Sequence, residues 1–277
     1  MMKRYIPFII LLVMATPGCM KRIPYQHSQL EAFHERSENV QLEFATGKGR
    51  QVAFFIPPDK ETDSPPARID ILYPGIGSVA LGWQRFIKEG EYPHTGYLLI
   101  DYPGRGLSEG FMNPADNYLN TEGALNALAE HFGVNVLDAE LNLMGHSFGT
   151  GAALQFAARH SVKRIVLVAP FNTLRKGVAV KSLFLSLVMP SQIDNRKIIR
   201  QLLSEDNQPE ITILHGAKDT SLPVEMGREL AAIDPERVNY LEFPEDDHTS
   251  ILTTRRDLIF GILNGGYSAE VATWGAD

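Results

Sequence analysis

Four runs of the chain are apolar almost without interruption: Ile69 to Tyr73, Tyr97 to Ile100, Leu141 to Met144 and Arg164 to Val168. Strands covered by helices on both faces read this way, whereas a half-solvated strand alternates. Helical stretches are predicted at Leu81 to Glu89, Asn117 to His131, Gly151 to His160, Val224 to Ile233 and Arg255 to Leu263. Two further strands are predicted at Ile211 to Leu214 and Val238 to Phe243. An opening hairpin, Gln41 to Phe44 with Gln51 to Ile56, turns on Thr46-Gly47-Lys48-Gly49. This alternation predicts an α/β architecture, an open and mostly parallel sheet with helices on both faces. It breaks once. Residues 172 to 209, with Pro190 inside, hold far more chain than one crossover helix needs and are read as a small cap insert. Its apolar run from Val178 to Met189 suits the wall of an acyl pocket, or a closure of the domain core.

The amino terminus has a different pattern. Lys3 and Arg4 precede an apolar stretch from Ile6 to Ala15. That is short of the roughly 20 residues a membrane span needs, and it has the flanks of a secretory signal. The Gly18-Cys19 pair that follows resembles the lipobox of bacterial lipoproteins, although Thr16 stands where that motif usually carries leucine. The resemblance implies export to the bacterial cell envelope and a membrane anchor on a lipidated Cys19. Ordinary cleavage nearby, giving a periplasmic or secreted soluble protein, is the alternative. The expected organisation is a signal peptide at 1–18, a polar tether at 19–39, one domain at 40–265 containing the insert, and a tail at 266–277.

Composition narrows the chemistry. With 277 residues, 44% of them hydrophobic, the chain can bury one sizeable core. A net charge of −7 and the absence of a Lys/Arg stripe argue against a nucleic-acid partner. A single cysteine makes no internal disulfide and no two-Cys metal pattern. His27, His34 and His94 have no close metal-ligand spacing, and neither H-E-x-x-H nor a phosphate-binding glycine fingerprint occurs. No metal and no cofactor are expected.

The informative motif follows the Leu141 to Met144 strand. Gly145-His146-Ser147-Phe148-Gly149 is G-x-S-x-G between a predicted strand and a run of small, helix-forming residues. The glycines are needed because side chains at 145 and 149 would collide with neighbouring backbone on so sharp a turn. The turn presents Ser147 as a candidate nucleophile and places the Phe148 N–H at a helix start, where it can meet an oxyanion. A serine hydroxyl needs a base and an orienter. Asp219, after the Ile211 to Leu214 strand, and His248, after the last strand, supply them in the order Ser, Asp, His. His146 and His215 are read as packing or hydrogen-bonding neighbours. His131 and His160 are read as helix-end residues.

Residues 40 to 265 thus resemble the α/β-hydrolase superfamily, and in particular serine hydrolases related to monoacylglycerol lipases and the Bem46-like group. The resemblance rests on Tyr73 to Gly77, Asp101 to Gly110, Gly145 to Gly149, His215 to Asp219 and the His248 loop. It implies that Ile76, third in a loop that usually reads His-Gly-x and here begins with Pro74, donates the second oxyanion N–H. The Asp101 to Gly110 run is read as structural. The expected activity is hydrolysis of a carboxylic ester with a small or medium acyl group. An aminopeptidase-like or acyl-peptide hydrolase is the enzyme alternative, and an envelope lipoprotein retaining the fold as a binding module is the non-enzyme alternative.

Overall fold

The computed structural model describes residues 23–59, 65–180, 193–205 and 208–266. Eight strands form one sheet: β1 (Val40–Thr46), β2 (Gly49–Ile56), β3 (Arg68–Tyr73), β4 (Thr95–Ile100), β5 (Glu140–His146), β6 (Arg164–Val168), β7 (Glu210–Gly216) and β8 (Val238–Phe243). Their order is β1-β2-β4-β3-β5-β6-β7-β8. The opening hairpin joins antiparallel, and every pair from β4 onward is parallel. The expected mostly parallel, doubly covered sheet is what forms.

The period of two within each apolar run divides the core between the faces. Ile69, Ile71, Leu141, Leu143, Ile165 and Leu167 point to one side, where they meet Leu125, Leu128, Leu154 and Phe156. These last four come from α2 (Tyr118–Phe132) and α3 (Phe148–Ala157), which follow α1 (His27–His34) in the chain. Leu72, Met144, Val166 and Val168 point to the other side, against Phe33 of α1, Trp83 and Phe86, and Ile259, Phe260 and Leu263. The predicted helix at Leu81 to Glu89 is a 3₁₀ segment, Ala80–Phe86. Among the described residues no helix is long and apolar enough to cross a membrane.

One expectation changes. The tether is not polar chain hanging free over 23–39. Ile23 bridges Arg105, and its carbonyl accepts from the Gly106 N–H at 2.8 Å. Tyr25 packs edge-on against Phe54, and Phe33 is fully buried against the same ring. One such burial stabilises by about 2 kcal/mol, enough to dock a short helix that has no strong apolar stripe of its own. Sequence periodicity missed α1 for that reason: Phe33 is its one buried residue.

The insert is described only at its flanks. Its described flanks are α4 (Leu174–Ala179) and α5 (Asn195–Ser204), and Leu174, Ile199 and Leu202 join the main core. The Thr173 and Asp194 bridge closes its base. Two further helices precede the last described one, α6 (Glu225–Ala231) and α7 (Ser250–Thr254), and α8 (Arg256–Leu263) is the last among the described residues. Cys19, the signal, the tail beyond 266, and Leu183 to Met189 of the expected acyl wall lie outside the described residues.

Candidate active site

The site forms at the carboxyl end of the parallel strands. Between β5 and α3 the chain reverses at Ser147, whose φ of 55° and ψ of −119° lie where a non-glycine residue is strained. The crowding that required the glycines is visible. A Cβ at Gly145 would lie 2.5 Å from the Gly149 carbonyl oxygen, and one at Gly149 would lie 2.3 Å from that of Tyr73. The Ser147 N–H donates to the Val168 carbonyl at 2.9 Å, tying the turn to β6.

Ser147, His248 and Asp219 are brought together from three loops. Ser147 Oγ stands 2.9 Å from His248 Nε2, and His248 Nδ1 stands 2.7 Å from Asp219 Oδ2. The other Asp219 oxygen accepts from the Ser221 and Leu222 N–H groups, each at 2.8 Å. Burial alone would raise the Asp219 pKa. The bonds from His215, His248 and the Leu222 amide outweigh it and hold the carboxyl well below the usual carboxylate range. An ionised Asp219 keeps the proton on His248 Nδ1 and leaves Nε2 to accept from the serine.

Phe148 directly follows the serine, and Ile76 belongs to the loop after β3. Phe148 heads α3, and a Cβ on Gly75 would lie 3.5 Å from Ser147 Cβ, so the Pro74 to Gly77 loop lies against the nucleophile's base. Among the described residues neither the Ile76 nor the Phe148 N–H donates to a backbone or side-chain acceptor. Two unspent donors beside a buried serine can meet a charge that develops on substrate.

Both neighbouring histidines bond to this relay. His146 Nε2 donates to the His248 carbonyl at 2.8 Å. Burial and the adjacent His248 push His146 down to about 4, so it is neutral at physiological pH. His215, fully buried, donates from Nε2 to the Leu222 carbonyl at 2.9 Å and lies 3.3 Å from Asp219 Oδ2. His131 lies in the last turn of α2, whereas His160 lies three residues beyond the end of α3 and its Nε2 meets Glu122 at 2.8 Å.

Three positioning residues were not singled out for this role by the sequence. Arg105 Nε donates to the Ile76 carbonyl at 3.3 Å, and Tyr102 Oη donates to the Pro74 carbonyl at 2.8 Å. The Asp101 to Gly110 run therefore shapes the loop that carries the Ile76 amide. Asp101 itself accepts from the Ala80 N–H at 2.8 Å and from Tyr25 Oη, and burial raises it to about 7. Asp246 accepts from Thr254 Oγ1 at 2.6 Å and Arg255 Nε at 2.7 Å, while its carbonyl takes the Lys218 N–H at 3.0 Å. It links the Asp219 loop to the His248 loop. Its sequence signal was hidden among three consecutive acids, any of which could have been surface charge. Among the described residues no group of three or more His, Cys, Asp or Glu side chains could hold a metal ion.

A family model described as "Alpha/beta hydrolase family" matches residues 71–242, which hold the serine turn, Asp219 and the strands between. The chain belongs to the alpha/beta hydrolase family. Solved structures agree in fold. An esterase of Pyrococcus furiosus superposes with a TM-score of 0.63 at 13% identity, covering 88% of this chain and 98% of that one. A 2,6-dihydroxy-pseudo-oxynicotine hydrolase gives 0.62 at 17%, covering 86% and 72%. An acylaminoacyl peptidase of Pyrococcus horikoshii gives 0.62 at 10%, covering 85% of this chain and 43% of that one. No curated protein matches the chain. The family accommodates ester and peptide chemistry on one scaffold, so the site itself has to carry any narrower reading.

Proposed function

We propose that this alpha/beta hydrolase cleaves carboxylic esters through an acyl-enzyme, with Ser147 as nucleophile, His248 as base and Asp219 as orienter. The observation that carries this reading is the unbroken Ser147–His248–Asp219 relay beside two unspent amides. Ser147 Oγ attacks the carbonyl carbon while its proton passes to His248 Nε2. The oxyanion is met by the Ile76 and Phe148 N–H groups, and Asp219 faces the imidazolium. Collapse expels the alcohol, which takes the proton from Nε2. Water then repeats the two steps and releases the acid. The resemblance to monoacylglycerol lipases and the esterase among the structural neighbours favour an ester over an amide.

The anchor belongs to the same reading: Cys19 carries lipid and holds the enzyme to a membrane of the cell envelope. Three residues separate it from Ile23, a reach of at most about 14 Å over four residue steps. Because Ile23 is docked on Arg105, anchoring would hold the face beside the site close to the membrane.

A fluorophosphonate probe tests the chemistry, because it labels an activated serine. Labelling of the wild type and its loss in Ser147→Ala are expected, with turnover of p-nitrophenyl esters exceeding that of aminoacyl amides. An unlabelled wild type overturns the reading. Preferential amide turnover overturns it in favour of a peptidase.

A further inference from the structure

A cavity of about 260 Å³ opens beside the site, between the docked N-terminal segment and the Ala80–Phe86 segment. Its inner end is formed by Gly75 and His146. Both are at the serine: a Cβ on Gly75 would lie 3.2 Å from His146 Nδ1 and 3.5 Å from Ser147 Cβ. Trp83, Phe86 and Leu252 wall it, all buried, and Ile23 closes it from the opposite side. Its charged lining residue, Arg85, is exposed at the rim. His146 adds no charge at the inner end, because burial and His248 keep it neutral above about pH 4.

We propose that this cavity receives an unbranched aliphatic arm of the ester, with the N-terminal segment as one wall. The inference rests on the ester-hydrolase reading and deepens it. An uncharged inner end against the nucleophile and the buried side chains of Trp83, Phe86 and Leu252 suit a chain of methylenes, while Gln26, Gln29 and Ser78 make other parts of the lining polar. Binding pockets for drug-sized ligands run from roughly 300 to 1,000 Å³, so a cavity just below that range suits a short or medium arm. Ile23 lies outside residues 71–242, the region matched by the family model.

Gly82 supplies the test. It lines the cavity, and a Cβ there meets nothing within 4 Å, so a larger side chain enters open space without backbone strain. Two ester series, one varying the acyl chain and one varying the alcohol, are measured on the full-length wild type, Gly82→Leu and Ile23→Ala. The readout is the kcat/KM ratio of the eight-carbon ester to the two-carbon ester within each series. A methylene gained or lost in an apolar pocket changes discrimination by about 10- to 200-fold. Gly82→Leu should lower the ratio at least about 10-fold in one series, and Ile23→Ala should shift it the opposite way. The series that responds identifies the arm. If fluorophosphonate labels both variants but neither ratio moves in either series, the subsite is refuted while the ester reading stands. If the wild type is labelled yet turns over no ester of either series, the ester reading fails and this inference fails with it.

Discussion

The imidazole of His146 donates to the main-chain carbonyl of His248 at 2.8 Å, so the residue before the serine holds the backbone of the histidine that faces it. Neutral His146 can donate from Nε2 without bringing charge to the relay. His146→Phe keeps a ring in the same place and removes the donor. One neutral hydrogen bond is worth about 1 kcal/mol, so kcat should fall by roughly 5- to 10-fold with KM little changed. Steady-state kinetics on matched esters measures the split. An unaltered kcat would show that the His248 loop needs no such support.

Strain at Ser147 leads to a second outcome. Holding a non-glycine residue at φ 55° costs on the order of 1–3 kcal/mol. Glycine adopts that conformation without the penalty. Ser147→Gly should therefore abolish ester turnover and raise the thermal midpoint, whereas Ser147→Ala should abolish turnover with a smaller gain. Scanning calorimetry on the three proteins checks the order. A Ser147→Gly protein less stable than wild type would mean that the Ser147 bonds outweigh the strain.

The central fold and the candidate site residues were legible for a shared reason. Ile69 to Tyr73 and Arg164 to Val168 are too continuously apolar to be anything but doubly covered strands, and Ser147 and Asp219 each follow a buried strand, while His248 follows the half-buried edge strand β8. What escaped sequence reading depends on tertiary contact. Phe33 docks α1 through one ring, which leaves no period to detect. Arg105 and Tyr102 act through main-chain carbonyls of a loop far away in sequence, and no local spacing announces that. The insert looked like a cap because its length exceeded that of one helix. Its described flanks supply Leu174, Ile199 and Leu202 to the core, a role that composition alone does not distinguish from lining a pocket, and residues 181–192 lie outside the described residues.

The Arg105 contact with the Ile76 carbonyl, at 3.3 Å, makes a prediction about the oxyanion loop. If the Ile76 N–H acts on the transition state, loosening its peptide should cost kcat more than KM. Losing a whole oxyanion donor costs about 100- to 1,000-fold, so disordering one should cost up to about 100-fold. Arg105→Met is expected to show this loss, and Arg105→Lys, which retains the cation beside Asp101, should recover part of it. A rise in KM with kcat unchanged would assign Arg105 to substrate binding instead.

A buried acid away from the site sets a pH dependence of stability. Asp70 lies near the amino end of β3, fully buried, with Asn142 Nδ2 donating to it at 3.0 Å and Asn264 Nδ2 at 3.4 Å. Burial raises its pKa to about 7, against the pull of Asn142 and Arg68. Its ordinary value is about 3.9, so between roughly pH 4 and 7 the folded protein holds a proton that the unfolded chain has lost. A raised pKa contributes stability below the unfolded value, and that contribution is lost as pH rises through the folded one. The full difference approaches 4 kcal/mol at about 1.4 kcal/mol per pH unit. Asp70→Asn keeps an acceptor for Asn142 and has no proton to lose. Urea denaturation should find the variant and wild type similarly stable near pH 4, and the variant more stable by up to about 4 kcal/mol at pH 8. Asp101, also raised to about 7, is present in both proteins and cancels in the comparison. A difference that does not grow with pH would mean that Asp70 is already ionised in the fold, held by Arg68 and its amide partners.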